Sequence, residues 1–325
     1  MHLLSVLPAR CAAALAAALL AAPLAWAQAY PSKPVRIVVP YPPGQGTDIA
    51  TRHLAEHLTQ AMGQTFFVEN RAGAGGNVGT AEAARAAPDG YTLLMGTNAT
   101  HVLNAYLYAS LPFDPQKDFE PVTLVSSFPM VVLAPAQSPH AGIADLIAAA
   151  KARPRALDVA LPSTTARLVL ELLEQQSGAA FTGIPYKGSG IAMTDLIGGQ
   201  VPLAIDTVSA ARAFVAGGRL KALGVTSAKE SALLPGVKTV AAQGLEGFQV
   251  LAWNGLYAPR GTPAAVLGKL AAEVGAILAQ PSVRQRMLEL GHEPVGGTAA
   301  ELAEFAAAER RKWGPIIAKA GLKAE

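Results

Sequence analysis

Short runs of apolar, β-branched residues alternate with segments of helical periodicity along most of the chain. The pattern predicts strands at Val35 to Val39, Thr65 to Glu69, Tyr91 to Gly96, Leu157 to Leu161, Val201 to Ile205 and Lys221 to Thr226. Cap and proline signals predict three helices in the tail, starting near Thr262, Pro281 and Thr298. Strands alternating with helices indicate an α/β fold with helix-covered sheets. Ligands of such sheets bind at the carboxyl ends of the strands, so the turns there are the places to search for function.

The N-terminus has the pattern of a secretory signal peptide over residues 1–27. An apolar stretch from Cys11 to Leu24 follows Arg10, and Ala25-Trp26-Ala27 supplies a small-x-small cleavage site. The stretch has 14 residues, short of the roughly 20 that a membrane-spanning helix needs. Cys11 is the only cysteine and leaves with this segment, so the mature chain has no disulfide or thiolate metal site. We therefore expect an exported, periplasmic protein.

The composition indicates the number of domains and argues against one class of partner. The chain has 325 residues, 51% of them apolar, which suffices for one large or two medium domains with proper cores. Charged residues make up 15% and the net charge is +3, without a basic run interleaved with aromatic residues. Nucleic acid is therefore not expected as a partner.

A glycine-rich turn lies between strand and helix in VRIVVPYPPGQGTDIATRHLAEHL, residues 35–58. Free backbone N–H groups and the positive end of the helix favour an anion there, either phosphate or carboxylate. Phosphate fits poorly, because Ile49 stands where a dinucleotide fingerprint has its third glycine and no Lys-Ser/Thr pair follows. Asp48 in the first turn would also repel a doubly charged phosphate.

The same helix contains His53, Glu56 and His57 at the H-x-x-E-H spacing of inverted zinc peptidases. The apolar stripe of this helix consists of Ala50, Leu54, Leu58 and Ala61. Both histidines lie on the opposite face with other polar residues, and no motif for a third ligand is evident. We interpret this as a solvated helix face and predict no metal site.

An exported hydrolase is the alternative from a different class of function. It would need a base poised beside a nucleophile, yet the sequence has no G-x-S-x-G motif. His101, close to Thr97, is the best candidate base. We predict no catalytic residues and no cofactor.

Two further turns have a neutral, small-residue character. The segment Asn70 to Gly79, NRAGAGGNVG, follows one strand, and Thr97-Asn98-Ala99-Thr100 follows another. Glycines let backbone N–H groups approach a ligand closely, and hydroxyl and amide side chains complete a neutral donor set. Two glycine-rich strand-to-helix turns in one half of the chain favour an anion site.

Several longer motifs identify a family. They are YPSKPVRIVVPYPPGQGTD, VENRAGAGGNVGT, PDGYTLLMGT, LPFDPQKDFEPVTLV, PYKGSGIAMTDLIGGQVPLAID, GRLKALGVTSAKESALLPGVKTVAAQGL and GLYAPRGTP. Through them the mature chain resembles the periplasmic substrate-binding proteins of tripartite tricarboxylate transporters, the Bug receptor family. The resemblance implies a type II-like periplasmic binding protein fold: two α/β lobes with parallel or mixed sheets, a hinge and an interlobe cleft.

The resemblance also implies that the glycine-rich loops hold a ligand carboxylate. Carried onto this chain, the family's binding positions are Tyr41, Pro43, Gly44, Gln45, Thr47 and Asp48 in the first loop, Gly75, Gly76 and Asn77 in the second, Thr97 and Asn98 after the third strand, and Ser163, Thr164, Thr165 and Asp206 from the second lobe. The implied partners are a small organic acid and the membrane subunits of the transporter, with the receptor a monomer. A receptor that presents its ligand to a signalling kinase is an alternative that the sequence does not separate from transport.

The chain departs from the family pattern at two places. Gln45 replaces the second glycine of the first loop, and the second-lobe turn ALPSTTAR, residues 160–167, has lost its glycines. Pro162 stiffens that turn and leaves fewer backbone donors. Arg167 falls where the family often has His. If Arg167 faces the cleft, a dicarboxylate or an aromatic acid with a second polar group should be preferred; if it faces outward, it is a bystander.

The predicted lobe limits are approximate. We assign residues 28–127 and 254–325 to the first lobe and residues 128–253 to the second. The crossing segments are PVTLVSSFPMVVLAP and FQVLAWNGLYAP.

Overall fold

The structure is a computed structural model that describes residues 30–321 and residue 323. The predicted signal peptide, residues 1–27, lies outside these residues. Contacts divide the chain between Ser32 and Lys33, and the description below concerns the part from Lys33 onward.

The described part alternates strands with helices. The strands are β1 (Val35–Val39), β2 (Phe66–Asn70), β3 (Thr92–Thr97), β4 (Phe119–Pro135), β5 (Asp158–Leu161), β6 (Thr182–Pro185), β7 (Leu203–Thr207), β8 (Leu220–Val225), β9 (Leu251–Pro259) and β10 (Glu293–Pro294). The α-helices are α1 (Gly46–Met62), α2 (Asn77–Ala84), α3 (Asn104–Leu107), α4 (Ile143–Ala152), α5 (Thr164–Ser177), α6 (Ser189–Ile197), α7 (Val208–Ala216), α8 (Ala264–Ala279), α9 (Pro281–Glu289) and α10 (Ala299–Ala320). A π-helical turn, Ala99–Leu103, precedes α3.

The first lobe is built on a mixed sheet with the strand order β2-β1-β3-β9-β4. Strand β1 is parallel to β2 and β3, whereas β9 is antiparallel to β3 and β4. The carboxyl ends of β1 and β3 therefore lie at the same edge of the sheet. The loops that follow them, at Pro40 and Asn98, start side by side.

The second lobe shares strand β4 with the first. Residues 119–129 of β4 pair with β9, whereas residues 130–135 pair with β7 and β8. Strand β7 continues to β5 and β6 through parallel pairing. The chain thus passes from one sheet to the other between Pro129 and Met130. The residue limits of the two lobes stay a prediction.

The predicted α/β fold is confirmed, with mixed rather than purely parallel sheets. The six predicted strands are present with ends within two residues of those expected. Strand β6 was not predicted, because Thr182–Pro185 is short and half exposed, and Gly and Pro interrupt it. The tail helices start at Ala264, Pro281 and Ala299, the last with a Thr298–Glu301 capping box.

Helix α1 buries the predicted face against the first sheet. Ala50, Leu54 and Leu58 are buried, while Ala61 near the helix end is exposed. The pattern of burial fixes which side of α1 faces the strands and so places its first turn at the carboxyl end of β1. Within residues 30–321 and 323, no single helix is long and apolar enough to cross a membrane; α8 and α9 pass the same criteria only as a pair bent by 77°.

Candidate functional site

A small cavity lies between the loops of the two lobes, where the carboxyl ends of four strands meet. Its lining consists of Tyr41, Gln45, Gly46, Thr47, Thr97, Asn98, Phe128, Met130, Ser163, Thr165, Asp206, Thr207 and Ala252. The volume is about 30 Å³, far below the roughly 300 to 1,000 Å³ of a typical ligand pocket. An organic acid would therefore enter only after the lobes move apart.

The first turn of α1 forms one wall. Gln45 is the N-terminal cap residue of α1 and Gly46 the first helical residue. The first backbone N–H groups of a helix have no partner within the helix, and Gly46 and Thr47 both line the cavity. This wall therefore offers main-chain donors and the positive end of the helix dipole to an anion.

Asp48 fixes the shape of the first loop. Its carboxylate accepts hydrogen bonds from the N–H of Gly44 at 2.9 Å and from the amide of Asn70 at 2.8 Å, and Arg52 Nε lies 3.0 Å away. The side chain is buried but is not part of the cavity lining. All these contacts lie within the first lobe, so Asp48 positions the loop.

The second glycine-rich loop packs against residues that line the cavity. Gly76 has φ +97°, and a Cβ there would lie 2.8 Å from Thr100 Cγ2 and 3.3 Å from the Tyr41 hydroxyl. Asn104 clamps this loop, because its amide donates to the carbonyl of Gly75 at 3.0 Å and to Asn77 Oδ1 at 2.7 Å. Gly76 thus packs closely against Tyr41, and Gly75 against Tyr108 and Thr164; neither glycine lines the cavity.

Tyr41 and Thr97 join the first loop to the end of β3. Their hydroxyl groups are 2.8 Å apart and share a hydrogen bond. Burial raises the pKa of Tyr41 to about 12, so the phenol keeps its proton and can act as a donor.

Two helix starts form the wall from the second lobe. Ser163 caps α5 by accepting from the N–H of Ala166 at 3.1 Å, and Thr207 caps α7 by accepting from Ala210 at 3.2 Å. Together with α1, three helix N-termini point at the cavity. Each carries about half a unit of positive charge, which can stabilise an anion without a basic side chain.

Two hydrogen bonds join the lobes across the cavity. Gln45 Nε2 donates to the carbonyl of Pro162 at 3.2 Å, and Thr165 Oγ1 donates to Asn98 Oδ1 at 3.2 Å. The lobes also touch at Gly46, where a Cβ would lie 2.8 Å from Ser209 Oγ. Because these contacts link opposite lobes, they stabilise the arrangement in which the cavity is small.

Asp206 is the one acidic residue among the described residues that line the cavity. It is 2% exposed, and its Oδ1 accepts from the N–H of Thr207 at 2.7 Å and from Ser189 Oγ at 3.0 Å. Within the described structure Oδ2 is buried and makes no hydrogen bond. Burial raises the pKa of Asp206 to about 6, although hydrogen bonds from Thr207 and Ser189 oppose this shift.

The predicted site residues fall into two groups. Those that line the cavity are Tyr41, Gln45, Thr47, Thr97, Asn98, Ser163, Thr165 and Asp206. Those outside the lining are Pro43, Gly44, Asp48, Gly75, Gly76, Asn77, Thr164 and Arg167. Lining residues that the sequence did not reveal are Gly46, Phe128, Met130, Thr207 and Ala252. Two of these could have been inferred from neighbouring predicted residues, since Gly46 follows Gln45 and Thr207 follows Asp206 in the sequence.

Arg167 lies in the first turn of α5, beside the site. Its side chain is 36% exposed, and its Nε is 3.9 Å from Glu171 Oε1 on the next turn of the helix. The guanidinium therefore has a partner along the helix surface.

The histidines are placed as follows. His53 and His57 are partly exposed on α1, with ring centroids 4.8 Å apart. No group of three or more His, Cys, Asp or Glu side chains in the described part of the chain could hold a metal ion. His101 is buried and stacked on Tyr257 at 3.9 Å, and burial lowers the pKa of His101 to about 3. It does not line the cavity.

The chain is similar to known receptors over almost its whole length. The sequence profile described as "Tripartite tricarboxylate transporter family receptor" matches residues 50–322. Protein BugT of Bordetella pertussis is 35% identical over 312 residues, covering 95% of each chain. The solved structure of R. palustris Rpa4515 with adipate is 33% identical with a TM-score of 0.88, covering 90% of this chain and 99% of that one. MatC from Rhodopseudomonas palustris with bound malate is 33% identical with a TM-score of 0.83, covering 89% and 100%. The predicted resemblance is thereby confirmed.

Proposed function

The chain belongs to the tripartite tricarboxylate transporter receptor family, and from that premise we propose that it binds a small organic carboxylate and delivers it to a membrane transporter. Three helix N-termini around a cavity of neutral donors carry this proposal, since they favour an anion without a basic side chain. The adipate and malate of two solved relatives are carboxylates as well.

The proposed binding mode follows from the lining. One ligand carboxylate accepts from the N–H groups of Gly46 and Thr47, with Tyr41, Thr97 and Asn98 as side-chain donors. Hydrogen bonds to a charged acceptor contribute about 1.5 to 3 kcal/mol each. Four of them near the upper end of that range, together with up to about 2 kcal/mol from a helix N-terminus, exceed the roughly 8 kcal/mol of a micromolar receptor and leave a margin for moving the lobes.

Cellular context follows from the family. Its receptors are periplasmic, and we propose that residues 1–27 direct export and are removed. The mature chain then acts as a monomeric receptor rather than as an enzyme.

Calorimetry with a panel of three- to six-carbon acids on the mature chain tests this function. We expect at least one acid to bind with a Kd in the micromolar range. Gly46→Ala should weaken it about tenfold or more, because the added methyl group would meet Ser209 and Phe128 at 2.8 and 3.2 Å. Gly190→Ala is the matched control in the first turn of α6, where a Cβ would meet nothing within 4 Å. Absence of binding by every acid, or equal loss in both variants, would contradict the proposal.

A further inference from the structure

A chain of hydrogen bonds leads from the cavity wall into the core of the first lobe. The hydroxyl groups of Tyr41 and Thr97, which both line the cavity, share one bond. The N–H of Thr97 donates to Thr100 Oγ1 at 3.0 Å, and Thr100 Oγ1 shares a hydrogen bond of 2.9 Å with His101 Nδ1. Thr100 and His101 are buried and do not belong to the cavity lining. The chain therefore ends at an imidazole behind the cavity wall.

Three contacts fix the position of His101. Its ring stacks on Tyr257 with the centroids 3.9 Å apart. Gly96 leaves the space for the ring, since a Cβ there would lie 2.6 Å from His101 Nδ1. Arg310 of α10 donates to the carbonyl of His101 at 3.1 Å. A ring held in this way has little freedom to turn, so Nδ1 is a fixed partner for the Thr100 hydroxyl.

Burying an imidazole at this position is unfavourable in itself. Among the residues that the structure describes, none hydrogen-bonds to His101 Nε2 or to the hydroxyl of Tyr257, although both atoms are buried. Buried polar atoms without partners destabilise a fold. Burial lowers the pKa of His101 to about 3, so the ring is neutral at neutral pH. An apolar side chain would avoid the cost at Nε2, and the hydrogen bond of Nδ1 is therefore what the imidazole specifically contributes.

We propose that His101 is a positioning residue for ligand binding, which acts through Thr100 to hold Thr97 in place at the cavity. The proposal rests on the proposed function, in which Tyr41 and Thr97 donate to the ligand. Thr100 Oγ1 is 3.5 Å from Thr97 Oγ1, too far for a strong hydrogen bond. While His101 engages the Thr100 hydroxyl, that hydroxyl does not compete for the proton of Thr97, which stays available to Tyr41 and to the ligand.

Two substitutions at His101 separate positioning from packing. His101→Asn carries an amide on the Cγ that bears Nδ1 in histidine, so it can keep the bond to Thr100, but it loses the stacked ring. His101→Phe keeps a ring on Tyr257 and loses the bond. A merely structural role predicts that His101→Phe binds an acid at least as well as His101→Asn, whereas positioning predicts the reverse order.

Calorimetry with the three- to six-carbon acids, malate and adipate among them, measures this order on the mature chain. We expect His101→Asn to bind within about threefold of the wild type and His101→Phe about three- to tenfold more weakly. The Tm of each variant, recorded in parallel, shows whether affinity merely follows stability. An affinity of His101→Asn no better than that of His101→Phe would overturn the proposal.

Thr100→Val tests the same chain at a second residue, whether or not the His101 variants fold. It removes the hydroxyl and keeps the methyl group that packs near Gly76, and it should weaken binding about three- to tenfold. Thr123→Val is the matched control, because the buried Thr123 hydroxyl donates to the carbonyl of Gly297 at 2.8 Å and is not part of the cavity lining. Its affinity should stay within about twofold of the wild type.

A double-mutant cycle shows whether Thr100 acts through Thr97. In a Thr97→Val background the donor is already lost, so Thr100→Val should change the affinity by less than about twofold. Fully additive effects would contradict the proposed route. If no acid binds the wild type, the proposed function itself fails. If acids bind and Thr100→Val has the same affinity as Thr123→Val, the function stands and the positioning role of His101 is wrong.

Discussion

The burial of Asp206 predicts that the stability of the fold depends on pH. Its folded-state pKa of about 6 exceeds the ordinary value of 3.8 because of burial. The native state therefore holds the proton more tightly than the unfolded chain. Compared with a carboxyl of ordinary pKa, Asp206 does not lower the stability of the fold below pH 3.8. As the pH rises from 3.8 to about 6, the fold progressively loses stability because the buried carboxyl must ionise.

The magnitude follows from the two pKa values. Each pKa unit corresponds to about 1.4 kcal/mol, so the ionised carboxylate costs the fold about 3 kcal/mol at neutral pH. Asp206→Asn removes the titration and keeps an oxygen that can accept from Ser189 and Thr207. Between pH 4 and pH 8, the variant should gain about 2 to 3 kcal/mol over the wild type.

Thermal unfolding of both proteins without ligand, at intervals from pH 4 to pH 8, measures this gain. At about 2 °C per kcal/mol, the difference in Tm should grow by about 5 °C in favour of Asp206→Asn. Other titrating groups, such as buried His101 and His292, are present in both proteins and cancel in the difference. Asp158→Asn, at the partly exposed start of β5, controls for the general loss of one carboxylate in this lobe. A difference in Tm that does not change with pH would refute the reasoning.

Three further predictions concern Gln45, Arg167 and the two histidines of α1. Gln45→Leu removes the donor to Pro162 and should weaken ligand binding about two- to tenfold by calorimetry; unchanged affinity would mean that this bond does not survive in the bound form. Arg167→Ala should leave affinity within a few-fold, because Arg167 faces Glu171 rather than the cavity; a loss above about tenfold would place it at the ligand. The double variant His53→Ala, His57→Ala should bind the acid as the wild type does, before and after chelator treatment; a stoichiometric metal lost with both histidines would point to an enzyme instead.

The secondary structure was largely predictable because its strongest signals are local. A short run rich in valine and isoleucine, such as VRIVV in β1, is typical of a buried strand. The strand pairing was harder to predict, because β4 is a single strand of 17 residues that belongs to two sheets. Which part pairs with β9 and which with β7 depends on partners far along the chain.

The position of the cavity was predictable, but its lining was predictable only in part; that it binds the ligand stays a prediction. Loops after strands placed Tyr41, Thr97 and Asp206 correctly at the cavity, because sheet geometry fixes where those loops begin. Apolar lining residues such as Phe128 and Met130 were missed, since an apolar residue in a strand gives the same signal in a core and in a cavity wall. Gly75 and Gly76 do not line the cavity, because a glycine-rich turn that packs against a neighbouring side chain has the same composition as one that lines a cavity.

The two departures from the family pattern are connected in space. The resemblance implies that Gln45 replaces a glycine in the first lobe and that Pro162 belongs to a second-lobe turn that has lost its glycines. In the structure the Gln45 side chain donates to the Pro162 carbonyl, and Thr165 of the same turn donates to Asn98. Two side-chain contacts to the opposite lobe thus hold this turn in place. The ring of Pro162 restricts the backbone of this turn, so its carbonyl is held as a fixed acceptor for the Gln45 amide.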